Sequence, residues 1–496
     1  MRGWFFLLNQ KNSNLLFYFL ILLVILLSFR FYSAPFFPAL NSDHAVTILM
    51  LHSFHLPEDI YFWGQDRMGS IIPLLGQIPL SFGISALLSE AIVHYFILVL
   101  GFFSFASFLK SNSLKLLFAL FWFLPPFRMV DVTQFAFGIH YSLLGIALFL
   151  IFYHKRRSLT FNHFQKIGLT MLIILVLIAS IWASDMAIIS VLVISGFLIY
   201  QAFQSKVNVL LKLEFWMMVL GVVGAYSFVT YAKSQASVQQ TYSSFGNPSE
   251  ILETVKIFVR SIIDFFLFNA GELFTSLFAF GVLISVLVVM NQGRFFLKDF
   301  LTKNPIAVIL LLDTVLLLSA ILVSKWTLLN GVPRRYFTCV YISTGVSIFV
   351  FADFLLQKKM NNMYLQFSFI LTILFGAISG PYSMKYEWPK TLKPRVSTVR
   401  ELESLGSIGI IGEYWNSYIN SCTAPDQIKA TPHEHSGAVR SYRIVDEVFH
   451  QDRIFLIKDL WMEKFPDSLS QFNRVLYRKG EPFYMGESYL CEYTMR

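Results

Sequence analysis

Residues 305–324 read PIAVILLLDTVLLLSAILVS, a run whose single charge is Asp313. At about 1.5 Å of rise per residue, a helix of roughly twenty residues covers about 30 Å, the hydrocarbon thickness of a bilayer. Working outward from this block, comparable apolar runs recur at 15–27, 86–109, 114–127, 134–153, 167–183, 186–203, 214–232, 272–290, 335–355 and 363–381, about eleven expected spans in all. The composition agrees. Of 496 residues, 56% are hydrophobic, 17% aromatic and only 14% charged, where a soluble chain carries roughly 25% charge, and the mean hydropathy is +0.60. An ordinary soluble protein is excluded, and the sequence predicts a polytopic α-helical membrane protein.

The formal net charge of +9 invites a nucleic-acid partner until the cations are placed. Lys155, Arg156, Arg157 and Lys166, then Lys206 and Lys212, then Arg294, Lys298 and Lys303, then Lys358 and Lys359 fill short, mutually alternate loops, all on one side of the spans. That is the positive-inside pattern, which sets orientation. Basic residues interleaved with aromatics on a soluble face are lacking, so no nucleic acid is expected. The N-terminus is expected in the cytoplasm. Leu15–Leu27 reads as an uncleaved helix, since no small-x-small cleavage site precedes Pro35. Residues 31–85 then form a long outer loop, of which Ser70–Ile84 is apolar with two prolines and reads as interfacial or re-entrant.

After Pro381 long apolar runs vanish and charge rises. The expected division is a transmembrane domain at 1–381 and a small extracytoplasmic α/β domain at 382–496. Strands are predicted at Ser407–Ile411, Gln427–Ala430 and Arg453–Ile457, with a hairpin in Glu481–Tyr493. Cys422 and Cys491 share this domain and a bridge between them is open; no Cys/His spacing suggests zinc.

Ionisable side chains sort a transporter, which needs them at the midplane, from an enzyme acting at the membrane surface. Glu90, Asp264, Glu272 and Asp313 fall within expected spans, several near an end, where pairing or snorkelling is expected of them. The others gather on outer loops. Asp43, in Asn-Ser-Asp-His-Ala, follows the first span by about a dozen residues; it suits a general base or a cation ligand, or it caps the helix that begins there. Asp66 and Arg67 sit in an aromatic and glycine-bearing turn able to hold a sugar, or else brace the loop as an ion pair. Asn330–Phe337 sets Arg334 and Arg335 beside a proline turn, and guanidinium forks match phosphate oxygens, whether of a specific lipid carrier or of headgroups in general. Asp131 and Asp185, in smaller outer turns, are cation ligands or solvated acids.

A long first outer loop with an early acid, small outer loops bearing acids, Arg334-Arg335-Tyr336 opening a late span, and a C-terminal outer domain together resemble the GT-C superfamily of membrane glycosyltransferases. The bacterial protein mannosyltransferase and aminoarabinose transferase branch is the most similar. Gly412–Tyr418 (GEYWNSY), Ile428-Lys-Ala and the run 440–443 resemble outer domains of bacterial members. The family usually has an Asp-Glu pair in the first loop where this chain has Asp43-His44, so either group could act.

The resemblance implies sugar transfer from a polyprenyl-phosphate-linked donor to a lipid, glycan or protein acceptor on the outer face of a bacterial inner membrane. Asp43 and Asp66 would be catalytic. Arg67, Arg334, Arg335 and Tyr336 would bind substrate, and Asp43 and Asp131 would ligate a divalent cation, magnesium or manganese, if one is used. The rivals are a flippase or transporter of lipid-linked sugars and a nonenzymatic assembly protein anchored by its helices.

Overall fold

The computed structural model describes residues 10–63, 68–134, 138–157, 160–204, 213–235, 244–358, 363–387 and 393–495. Asp66, Arg67, Lys206, Lys212 and Lys359 lie outside the described residues. The chain divides into two compact units, one of residues 1–31, 95–229 and 241–389, the other of residues 32–94, 230–240 and 390–496.

Apolar runs without internal breakers become long helices. Among the described residues nine are long and apolar enough to cross a membrane: Asn14–Tyr32, Ala86–Ala106, His163–Ala183, Ala187–Gln204, Phe215–Ser234, Ala270–Leu287, Pro305–Val323, Arg334–Gln357 and Met363–Tyr386. A tenth is the bent pair Asn112–Phe123 and Phe127–Thr133, which meet at 72°. The bend falls at Pro125 and Pro126, where one helix cannot continue because the ring removes a backbone donor and clashes with the preceding turn. The expected span at 134–153 is a helix, Ile139–Arg157, whose last turn holds His154, Lys155, Arg156 and Arg157; it is not among the nine. The apolar piece after Ser70 is the eleven-residue helix Ile71–Ser81, too short to cross.

In the first unit, exposed Leu311, Leu312, Val315 and Leu316 form the outer side of Pro305–Val323, which suits lipid. Asp313 points the other way: it is 2% exposed, and the Tyr141 hydroxyl donates to it at 2.7 Å. Glu272 takes the Arg128 guanidinium, 2.7 Å from Nε. Asp264 ends an amphipathic helix, Pro248–Asp264, rather than sitting in a span. In the second unit, Glu90 lies 3.9 Å from His94. Each acid expected inside a span is therefore paired or lies outside one. Loops expected on one side also meet one another. Lys303 and Lys358 share Asp299 at 2.7 and 2.8 Å, and the backbone amides of Lys110 and Ser111 donate to Asp353.

The second unit is built on a mixed sheet: β1 Ile408–Gly412, β2 Ile428–Pro432, β3 Ile454–Ile457, β4 Ser468–Gln471, β5 Arg474–Arg478, β6 Phe483–Met485 and β7 Ser488–Met495, in the order β2-β1-β3-β7-β5-β4 with β6 on β7. β1 runs parallel to β2 and β3, and the remaining pairs are antiparallel. The three predicted strands and the hairpin are present. The β4–β5 hairpin carries no Gly signal, because its two-residue turn is Phe472-Asn473, both at positive φ (51° and 61°), the geometry of a type I′ turn. Cys422 and Cys491 are unbridged, each in a different core cluster.

Residues that follow the first long helix share a core with the C-terminal residues. Val46, Leu49 and Met50 of the helix Ser42–His52 are buried together with Tyr414, Tyr418 and Ile428.

Candidate active site

The helix Ser42–His52 begins at a capping box. The Asn41 side chain accepts from the Asp43 amide at 3.0 Å and meets His44 Nδ1 at 2.8 Å. Asn41 thereby satisfies donors that a helix N-terminus leaves open, so the carboxylate of Asp43 is not consumed as the cap. The Tyr414 hydroxyl donates to Asp43 Oδ1 at 2.5 Å, a bond between residues 371 positions apart. Tyr414 is buried, and the Arg440 guanidinium carbon lies 4.9 Å from the centre of its ring. Burial first, then the charge of Asp43, push the phenol far above its ordinary titration range.

A second acid from the same loop is held more tightly. Asp59 accepts from the Trp63 indole at 2.7 Å and from the His55 amide at 2.7 Å. Arg443 lies 3.7 Å from Asp59 and donates to the Ser53 carbonyl at 2.9 Å, so the C-terminal segment clamps loop 53–63. Burial raises the Asp59 carboxyl above its ordinary value even against these donors. Tyr61, Phe62 and Trp63 are all within the core, at most 5% exposed, and do not form an open stacking surface.

In the first unit, the segment before Arg334–Phe337 turns sharply through Gly331 and Val332, both at positive φ (69° and 54°). Pro333 follows, and the two arginines stand side by side on the short helical turn. Tyr336 is fixed by the Trp326 indole, which donates to its hydroxyl at 2.8 Å. Asp131 interacts electrostatically with both Arg334 and Arg335. The three predicted residues Asp131, Arg334 and Arg335 are thus brought together, with Asp131 balancing part of a doubly positive turn. Among the described residues no three His, Cys, Asp or Glu side chains gather as a metal site. The described residues therefore do not fit a multi-carboxylate cation cage.

The sequence reading missed Tyr414, Arg440 and Arg443 as partners of the first loop. Their only signal was the pair of runs 412–418 and 440–443 already noted for their resemblance.

No family model and no curated protein matches the sequence. Solved structures do match the fold. ArnT from Cupriavidus metallidurans bound to undecaprenyl phosphate superposes with a TM-score of 0.56 at 9% identity, covering 98% of this chain and 98% of that one. The apo state of the same ArnT gives 0.52 at 8% identity, with 97% and 98% covered. The chain has the GT-C fold. Archaeal AglB from Archaeoglobus fulgidus overlaps less closely, with a TM-score of 0.44 at 11% identity over 90% of this chain and 70% of that one. With so little identity the likeness to ArnT speaks for the fold alone.

Proposed function

We propose that this chain is a membrane glycosyltransferase that takes a sugar from a polyprenyl-phosphate-linked donor and transfers it to a lipid, glycan or protein acceptor on the outer face of a bacterial inner membrane. The observation that carries this reading is the full-length GT-C fold shared with an ArnT bound to undecaprenyl phosphate. In this reading 1–381 form the transmembrane domain and 382–496 an extracytoplasmic domain, with the N-terminus and the basic loops in the cytoplasm.

Asp43 removes the proton of the acceptor hydroxyl as its oxygen attacks the anomeric carbon. The bond from that carbon to the phosphate oxygen breaks, the electron pair leaves with the phosphate, and Arg334 and Arg335 offset the charge that develops there. Tyr336 shapes the same turn. Asp131 keeps the two guanidinium groups oriented and is a candidate cation ligand; Asp66 is a secondary catalytic carboxylate and Arg67 binds substrate. No step is routed through a metal.

The test is transfer in vesicles. The purified chain is reconstituted with radiolabelled polyprenyl-phosphate sugars and a panel of lipid, glycan and peptide acceptors. Label appearing on an acceptor supports the reading. Movement of intact donor across the bilayer with no transfer replaces it with a flippase.

A further inference from the structure

We infer that Tyr414 is a positioning residue for Asp43, so that the C-terminal domain contributes directly to the working geometry of the candidate active site; this rests on the reading of Asp43 as the base. The two side chains share one compact unit, and the helix that carries Asp43 packs on the segment that carries Tyr414 through a common apolar core. The hydroxyl-to-Oδ1 distance of 2.5 Å is that of a charge-assisted O–H···O bond, stronger than a neutral one. A carboxylate has two oxygens and rotates freely about its last bond. Fixing Oδ1 sets the direction of Oδ2, and a base that must meet a proton within hydrogen-bond reach gains from that.

The phenol is itself held. Its ring is 5% exposed, the Arg440 guanidinium covers it at 4.9 Å, and the Arg440 amide donates to the Tyr418 hydroxyl at 2.8 Å. Because burial and the neighbouring carboxylate lift its titration well above the ordinary range, Tyr414 stays a donor at every working pH. A purely structural role is the alternative. Against it stands the partner: the hydroxyl is spent on the acid of the first outer loop best placed to act, an acid whose helix already has its own cap at Asn41.

The experiment uses the full chain in vesicles and compares Tyr414→Phe, Asp43→Asn and Arg440→Met with the parent. Tyr414→Phe keeps the ring and is expected to lower kcat by about tenfold or more, the scale of a lost orienting hydrogen bond, with donor KM unchanged and a smaller fall in thermal midpoint than a fully buried pair would give, because Asp43 is only half-buried and water can replace the donor. Arg440→Met lowers kcat less, and the double variant with Tyr414→Phe is no worse than Tyr414→Phe alone, since both act through one group. If Asp43→Asn is inactive while Tyr414→Phe keeps parental kcat, the positioning role is overturned and the base survives. If Asp43→Asn is fully active, the base reading falls and takes the inference with it. Should Tyr414→Phe fail to fold, Arg440→Met decides: parental kcat overturns the role, and a fall in kcat at constant KM supports it.

Discussion

Tyr141 donates its hydroxyl to Asp313 at 2.7 Å, and so neutral and acidic side chains from two helices close the single charge in the run 305–324 on the inner side of the bundle. A buried acceptor deprived of its donor costs about 1–3 kcal/mol. Tyr141→Phe is therefore expected to lower the thermal midpoint in detergent while transfer per folded molecule stays parental. Lost transfer at an unchanged midpoint would move Asp313 from structure into chemistry and revive a transport path.

Asp59 gives a pH signature. Its carboxyl titrates above the ordinary value of 3.8 because burial disfavours the charge, with the His55 amide, Trp63, Arg443 and His55 pulling the other way. The folded state then holds a proton that the unfolded chain has lost between 3.8 and the raised value, so stability falls as pH rises through that window and is flat beyond it. The difference in thermal midpoint between the parent and Asp59→Asn, followed from pH 4 upward, should decline and then level. A difference that climbs with pH contradicts the burial account.

Arg334 and Arg335 separate binding from chemistry. A guanidinium fork offers two parallel bonds to phosphate where an ammonium offers a point charge, and a hydrogen bond to a charged group is worth about 1.5–3 kcal/mol. Arg335→Lys is expected to raise donor KM by roughly ten- to a hundredfold, with a smaller change in kcat. An unchanged KM in a steady-state titration of donor would remove this turn from phosphate recognition.

Much of the fold was legible because bilayer spans and short β-strands are written in local patterns. Pro305–Val323 and β1, β2 and β3 lie within a residue or two of where hydropathy and alternation put them. Local breaks were harder. The bent pair at Pro125-Pro126 leaves one span in two pieces, and the β4–β5 turn at Phe472-Asn473 lacks the glycine that flags such hairpins. Pairings across the chain were not legible at all. Asp43 stood out by its place after the first span, but nothing local tells that Asn41 takes the cap, that Arg128 meets Glu272, or that Tyr414 lies against Asp43. Those contacts are set by tertiary packing, which has no sequence period.

In the proposed reaction Asp43 is the base of a sugar transfer. The most direct measurement is the transfer rate of Asp43→Asn from a polyprenyl-phosphate-linked sugar in vesicles, beside the parent and with donor binding measured in parallel. Asparagine keeps the size and the Tyr414 bond but cannot take a proton. Transfer is expected to fall by at least about a hundredfold, the scale of a lost general base, with donor binding intact; near-parental transfer would contradict a base at Asp43.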